Sequence, residues 1–393
     1  MNQLKLTWTG IFNACLFIWS FLYTVAYETT LGTSYNETIF SLYKAIWYVI
    51  VAILLLKIIT RKYVRRSSVA KSCVILLLGF VSSHFSGSSF LSPFFVFLAA
   101  ADRMEVRKAV KSIFYAQILA ILVTISLALS GVIVNTTTIR DSGLVRQSFG
   151  FGHPNTFAQK VLQVSIIFLY LKYDQIKFKH LIIVGIIGTI IYRLTNSQTA
   201  FYMTLLDIVL FVLYMHSQKR GQFLSKVSEW MIRALKYICI IVAGFSVYAS
   251  IVYQDNYLIG GIDTESSLYS RFSQMYLYLK TYSITLFGQP LYYHNSISSS
   301  IANSSGLYTL DNSYIYLLLG FGVVVFLLFI IIYARRIYKA IKDKEYVIAI
   351  IMTSYVLAGF TETSLIRFSY NFTMLFLFNI IWKSQKSMRS IIT

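Results

Sequence analysis

Apolar runs long enough to cross a lipid bilayer recur from one end of this chain to the other, and they restrict its fold more than any other feature. A spanning helix needs about 20 apolar residues, and in hydrocarbon only helices and closed barrels satisfy every backbone polar group. Hydrophobic residues make up 57% of the 393 residues and charged residues only 13%, about half the charge of a soluble domain. The sequence therefore predicts an all-α, polytopic integral membrane protein, with 1–393 forming a single transmembrane domain.

The lengths of the apolar runs predict about twelve transmembrane helices. Their ranges are 6–27, 39–60, 72–86, 89–102, 112–134, 156–173, 180–195, 199–216, 236–254, 313–333, 346–361 and 367–383. The first run is not followed by a small-residue cleavage site, so we expect it to remain as a span.

Positive charge predicts the orientation of these spans. The net charge is +20, but the cations form short clusters between apolar runs, as the positive-inside rule requires, so a nucleic-acid partner is not expected. The segments that hold 27 of the 35 Lys and Arg residues are the N-terminus, 57–71, 102–111, 172–180, 217–236, 335–345 and 383–393. We therefore predict that these segments, and with them both termini, are cytoplasmic.

Two connections on the opposite, outer side are long: 135–155 and the 58-residue segment 255–312. Within the second, apolar side chains recur at helical spacing, which predicts an amphipathic helix on the outer face of the membrane. Those side chains are Leu268, Phe272, Met275, Tyr276 and Leu279.

The outer connection 135–155 ends in a polar, glycine-containing stretch, 146–155. Its glycines permit backbone angles that other residues avoid, and Pro154 excludes helix at His153, which predicts a shaped turn. Asn155 stands where the N-cap of the next helix is expected. An arginine (Arg146), a histidine and a helix N-terminus at a membrane face suit an anionic head group. The alternative is a re-entrant connection whose glycines only relieve crowding.

Five arginines lie on the predicted outer side and come from four connections. Planar guanidinium groups bind phosphate through two parallel hydrogen bonds, so together they favour a lipid-linked pyrophosphate ligand. The alternative is that they reach lipid head groups or pair with Asp141, Asp255 and Asp263. The arginines are Arg140, Arg146, Arg193, Arg271 and Arg367.

Carboxylates on the same predicted outer side of the membrane are candidates for proton transfer. Asp311 precedes a predicted span and fits both a general base and the N-cap of that span. Glu362 and Arg367 bracket the outer turn of the last hairpin. The histidines lack Asp, Glu or Cys partners at ligand spacing, and no nucleotide-binding loop occurs, so neither a metal nor another cofactor is predicted.

Several motifs resemble those of the Wzy-type polysaccharide polymerases and the related O-antigen ligases. The most specific is Arg146 followed by 150–158. The others, in chain order, are 195–200, Ser270-Arg271 followed by 286–288, and 311–314 followed by Leu319-Gly320. The resemblance covers most of the chain. It departs from the family pattern at Gln198, where an arginine is frequent, and at Gly288-Gln289-Pro290, which replaces Gly-x-Gly.

The resemblance implies a GT-C-like, metal-independent glycosyltransferase of the bacterial cytoplasmic membrane. Such a polymerase transfers a growing glycan from undecaprenyl pyrophosphate onto a new lipid-linked repeat unit of a capsule, exopolysaccharide or O-antigen. A flippase and a chain-length regulator are the expected protein partners. By position, Arg146 and Arg271 would hold the donor pyrophosphate. From their own chemistry, the imidazole of His153 and the carboxylate of Asp311 are also predicted to be catalytic, as candidates for the general base. The expected substrate contacts are Arg140, Asn155, Arg193, Tyr314, Glu362 and Arg367.

Two other functions are compatible with this pattern. A ligase would transfer finished glycan to another acceptor, but ligases usually have His-Asn where this chain has Asp311-Asn312. A flippase or other transporter would have cations along a cavity accessible from both faces and loops of balanced length. Here the outer cations gather on one side together with the long segment 255–312, which favours an enzyme.

Overall fold

A computed structural model describes residues 7–60, 66–139, 143–219, 223–253, 267–292 and 307–382. The described chain consists of helices joined by turns and loops, with one antiparallel pair of short strands, β1 (Thr137–Ile139) and β2 (Val145–Gln147). Arg140 lies outside the described residues.

The helices follow the apolar runs because helical hydrogen bonds are local and satisfy the backbone within each run. In chain order they are α1 (Trp8–Tyr27), α2 (Thr30–Ser34), α3 (Asn36–Ile59), α4 (Arg66–Ser86), α5 (Ser92–Ala99), α6 (Val106–Leu129), α7 (Pro154–Lys172), α8 (Phe178–Thr195), α9 (Gln198–Ser217), α10 (Phe223–Ala234), α11 (Ile238–Val252), α12 (Ser267–Thr281), α13 (Ser313–Gly320), α14 (Gly322–Lys342), α15 (Tyr346–Thr361) and α16 (Phe378–Ile381).

Among the described residues, seven helices are long and apolar enough to cross a membrane: Trp8–Tyr27, Glu37–Ile59, Ser68–Ser86, Val106–Leu129, Phe178–Thr195, Gln198–Ser217 and Phe223–Val252. Only 17% of the apolar window in Glu37–Ile59 is buried by protein, and an apolar surface of this size, on a helix long enough to span a bilayer, is typical of a membrane protein. The prediction of an all-α, multi-pass membrane protein is confirmed. The number twelve, the GT-C-like arrangement and the orientation of the termini stay predictions.

Two predicted spans have a different form in the structure. The predicted helix 313–333 is interrupted at Phe321, where α13 ends, and α14 then continues to Lys342. The predicted helix 367–383 is instead a 3-10 turn, Phe372–Leu377, followed by the four-residue helix α16. Every residue of that 3-10 turn is buried. Packing, rather than intrinsic helix propensity, therefore sets its backbone.

At the interruption between α13 and α14, segment 285–289 forms backbone hydrogen bonds with both helices. The first N–H groups of a new helix lack partners within it, and here Val323 and Val324 donate to carbonyls of that segment at 3.0 and 3.2 Å. Gly322 has φ +83° and Gly288 has φ +93°. A Cβ atom on Gly288 would lie 2.1 Å from a backbone oxygen of α13. Both glycines are therefore required by the close approach of the two backbones.

The amphipathic helix predicted within 255–312 is confirmed as α12, but its environment differs from the prediction. Phe272 and Met275 are 2% and 1% exposed, so this apolar face contacts protein rather than the outer face of a membrane. It packs against a buried cluster of Ala249, Tyr253, Leu307, Leu310, Ile315 and Leu319. Most of this cover comes from α11 and α13, which lie outside the segment, so the helical spacing alone does not reveal it.

The chain divides into two compact units. Unit 1 comprises 1–75, 96–220 and 372–393, and unit 2 comprises 76–95 and 221–371. Within unit 1, α1 packs along α6, and α7, α8 and α9 pack against one another. Within unit 2, α11 packs against α12, α14 and α15. The single transmembrane domain predicted from the sequence stays a prediction.

Candidate functional site

In unit 1, Arg146 connects the ends of two helices. It lies on β2 opposite Thr138, and only 7% of its surface is exposed. Its Nε donates to the carbonyl of Thr195, the last residue of α8, at 2.6 Å. A terminal nitrogen of the same guanidinium donates to the side-chain oxygen of Asn155 at the start of α7. Since a helix C-terminus carries partial negative charge, the cation is stabilised there.

The glycine-containing stretch that follows Arg146 is a shaped turn, as predicted. Gly150 has φ +85°, and a Cβ atom there would lie 2.9 Å from the side chain of Ala128. The backbone of the turn is fastened to the segment after α1: the N–H of Thr30 donates to the carbonyl of Gly150 at 2.8 Å, and the N–H of Gly152 donates to the carbonyl of Glu28 at 3.0 Å. The turn is therefore held in place by long-range backbone hydrogen bonds.

The N-cap of α7 is His153, which corrects the assignment of that position to Asn155. The Nδ1 atom of His153 accepts from the N–H of Asn155 at 3.1 Å, and Pro154 occupies the first helical position. Because His153 caps the helix, the side-chain oxygen of Asn155 can accept the hydrogen bond from Arg146. Desolvation, and then the positive charge of Arg146, lower the pKa of His153, although part of the residue stays exposed. The neutral imidazole with Nδ1 as acceptor is thus the favoured form.

A buried ion pair lies beneath this turn and was not predicted. Lys160 on α7 and Glu28 after α1 approach to 2.7 Å, with side chains 0% and 5% exposed. The ammonium group also lies 3.4 Å from the hydroxyl of Thr24, which contacts the buried amide of Gln117. The carbonyl of Glu28 is the one that holds Gly152. The ion pair therefore anchors the same segment that positions the turn.

In unit 2, Arg271 occupies a place similar to that of Arg146 in unit 1. Its Nε donates at 2.9 Å to the carbonyl of Thr361, the last residue of α15. A terminal nitrogen of Arg271 lies 3.6 Å from Oε1 of Glu362, and both side chains are largely buried. The bond from Nε fixes the plane of the guanidinium. Two predicted site residues, Arg271 and Glu362, are therefore in contact, although the sequence did not pair them.

Asp311 lies in the electrostatic field of Arg271 and Arg367 and does not cap α13. The cap is Asn312, whose Oδ1 accepts from the N–H groups of Tyr314 and Ile315 at 3.0 and 2.9 Å. Of the two roles open for Asp311, the structure thus assigns capping to its neighbour. Burial raises the pKa of Asp311 above its ordinary value, although the charges of Arg271 and Arg367 oppose that shift. The carboxyl group therefore lies in the field of two cations and remains half-buried.

Arg367 stacks on an aromatic ring that the sequence did not identify. Its guanidinium carbon lies 4.4 Å from the ring centroid of Phe90. Its Nε is buried and has no hydrogen-bond partner among the described residues. A buried donor without a partner costs about 1–3 kcal/mol, and more when the group is charged. Such an arrangement is typical of a position that a ligand or a water molecule completes.

Two other predicted contacts, Tyr314 and Arg193, lie outside these clusters. Tyr314 is fully buried, and its hydroxyl donates to the carbonyl of Val356 at 2.6 Å, so it has a packing role. Arg193 is exposed on the last turn of α8. Arg140 is not among the described residues. The predicted clamp of Arg146 with Arg271 joins residues of different units and stays a prediction.

Within the described parts of the chain, no three His, Cys, Asp or Glu side chains lie close enough to share a metal ion. No protein-family model, curated protein or solved structure matches this chain. The family resemblance therefore depends on the motifs themselves.

Proposed function

We propose that this protein is a Wzy-type polymerase of the bacterial cytoplasmic membrane. It would be a membrane-embedded, metal-independent glycosyltransferase that moves a growing glycan from undecaprenyl pyrophosphate onto a new lipid-linked repeat unit. The observation that supports this most is the cluster in unit 2. There the positive charges of Arg271 and Arg367 lie close enough to Asp311 to influence the ionisation of its carboxyl group. The Nε atom of Arg367 is buried and has no hydrogen-bond partner in the described chain.

The chemistry of such a transfer matches these groups. A hydroxyl of the incoming sugar attacks the anomeric carbon of the donor, the bond from that carbon to the pyrophosphate oxygen breaks, and the hydroxyl proton must leave. Guanidinium groups stabilise the negative charge that develops on the departing pyrophosphate. Asp311 would accept the proton, and a carboxyl group with a raised pKa is a stronger base than an ordinary aspartate.

Asp311 as the base predicts how the rate depends on pH. The base must be ionised, so the polymerisation rate should fall as the pH falls through the raised pKa of Asp311, at a higher pH than for an ordinary aspartate. Removing one positive charge, as in Arg367→Gln, should raise this pKa further and move the fall to higher pH. The initial polymerisation rate of each purified protein in proteoliposomes, followed as a function of pH, measures both the fall and its shift. An unchanged acid limb in Asp311→Asn protein with residual activity would exclude Asp311 as the base.

The overall function is tested by the lipid-linked species that accumulate when the gene is deleted. A polymerase deletion should leave single repeat units on the outer face of the membrane and no polymer. Purified protein given lipid-linked repeat units should form a ladder of longer glycans, and should do so in excess chelator. Single units confined to the inner face would indicate a flippase. Normal polymer that stays on its lipid would indicate a ligase.

A further inference from the structure

Helix α10 (Phe223–Ala234) in unit 2 has its polarity inverted relative to a helix of a water-soluble protein. Its buried side chains are Ser225, Ser228 and Ile232. Phe223 and Trp230 are 80% and 71% exposed. Leu224, Val227 and Met231 are exposed as well. An apolar surface of this size is unstable in water and marks an interaction site.

The exposed apolar side chains form one continuous face. At about 100° per residue, the five fall within a single arc on the side opposite the buried serines. Lys226 and Arg233, seven residues apart, follow one edge of this arc. A large apolar face bordered by lysine and arginine, with a tryptophan on it, is typical of helices that lie in a membrane interface.

Polar contacts on the remaining side fix α10 to its own unit. Glu229 pairs with Arg233 at 2.6 Å and accepts a hydrogen bond from the hydroxyl of Tyr346, the first residue of α15. The apolar face is therefore directed away from the protein by its packing.

The distribution of charge along the chain separates α10 from the helix that follows it. Together they form the apolar stretch Phe223–Val252 of 30 residues, which would be about 45 Å long, against about 30 Å for the hydrocarbon core. A 3-10 turn at Leu235–Tyr237 interrupts the stretch. All of its charged residues precede Ile238, and α11 contains none. The composition of α11 therefore fits the hydrocarbon core of the membrane, whereas that of α10 fits the boundary between the hydrocarbon and the head groups.

We propose that α10 lies in the head-group region of the membrane and is a binding site for anionic phospholipid. The apolar face would enter the acyl chains, while Lys226 and Lys236 bind phosphate groups. Lys236 lies just after α10 and stacks on Tyr237 at 4.7 Å, and aromatic rings of this kind are frequent at head-group level. The charges favour lipid over an apolar protein partner because Lys226 at the edge of the face and Lys236 just after the helix match the phosphates of an anionic leaflet. This inference is independent of the enzymatic activity.

The depth of α10 is tested by the fluorescence of Trp230 in the full-length protein. The protein is placed in nanodiscs whose lipids are brominated close to the carbonyl or close to the methyl end. The signal of Trp230 is the difference between the wild type and Trp230→Phe. We expect the strongest quenching by bromine close to the carbonyl. Strongest quenching at the methyl end would mean that α10 crosses the membrane, and absence of quenching would mean that protein or water covers it. Either result would overturn the proposal.

The preference for anionic lipid is tested by charge removal. Phosphatidylglycerol or phosphatidylcholine is titrated into the full-length protein in a zwitterionic detergent, and the melting temperature is followed. Each lost cation should weaken the anionic-lipid effect about fivefold, so Lys226→Gln with Lys236→Gln should move the midpoint for phosphatidylglycerol about 25-fold higher. The matched control is Lys111→Gln with Lys179→Gln, since Lys111 is also exposed and stacks on Tyr115. An equal shift in both double variants, or equal effects of the two lipids on the wild type, would contradict the proposal.

Discussion

Arg271→Lys and Arg367→Lys should each lower polymer formation about 100-fold, which is the usual effect of removing one group that stabilises developing negative charge. Lysine keeps the charge but has no planar pair of donors for a pyrophosphate. Because negative charge grows on the leaving group as the glycosidic bond breaks, the loss should fall mainly on kcat. The measurement is the glycan ladder made from lipid-linked repeat units by purified protein, together with the accumulation of single units in cells.

Both arginines also have structural contacts, so the measurement needs a control for folding. Arg271 donates to the carbonyl of Thr361, and Arg367 stacks on Phe90. The melting temperature and the amount inserted in the membrane should therefore be measured for each variant. Arg335→Lys, on an exposed position of α14, is the matched control and should make normal polymer. Polymer of normal length and amount from both site variants would show that these arginines only close a helix end or support a ring.

Lys160→Met should lower the melting temperature by about 4–6 °C. The substitution leaves the carboxylate of Glu28 buried without its cation, and breaking a buried ion pair in this way typically costs about 3–5 kcal/mol. Because the backbone of Glu28 holds Gly152, the turn that carries His153 should loosen in the same variant. Thermal unfolding in detergent, followed by tryptophan fluorescence, measures the first effect. Limited proteolysis within 146–155 measures the second.

Two further variants separate the ion pair from a general effect of charge. Glu28→Leu combined with Lys160→Met removes both charges, and apolar replacement of a buried pair is often neutral, so the double variant should regain much of the lost stability. Lys108→Met is the matched control, because its pair with Glu105 at 2.9 Å is exposed and exposed pairs contribute little. A Lys160→Met protein that melts like the wild type would mean that the pair does not anchor this part of unit 1.

The sequence predicted the helices well where each one depends on its own apolar run. The ranges for α1, α3, α7, α8, α9 and α11 differ from the structure by a few residues at each end. It also predicted the shaped turn at Gly150, because glycines permit a positive φ and Pro154 excludes helix at His153, both of which are local effects. The arrangement of Arg271 and Arg367 around Asp311, with Glu362 against Arg271, required more, namely that two separate outer connections meet. The positive-inside count placed these connections on the same side of the membrane. In the structure of unit 2 the residues are close together.

The composition, the lengths of the apolar runs and the charge pattern by themselves determined that this is an all-α membrane protein, because hydrocarbon leaves the backbone only local hydrogen bonds in a helix. What only the tertiary structure decided depends on groups far apart in the chain. Segment 285–289 supplies the hydrogen bonds that let the helix break at Gly322. Glu28 supplies the charge that lets Lys160 be buried. Asn312, rather than Asp311, caps α13 because its amide also reaches the carbonyl of Phe360. None of these partners lies within a helical turn of the group it satisfies, so no local pattern could reveal them.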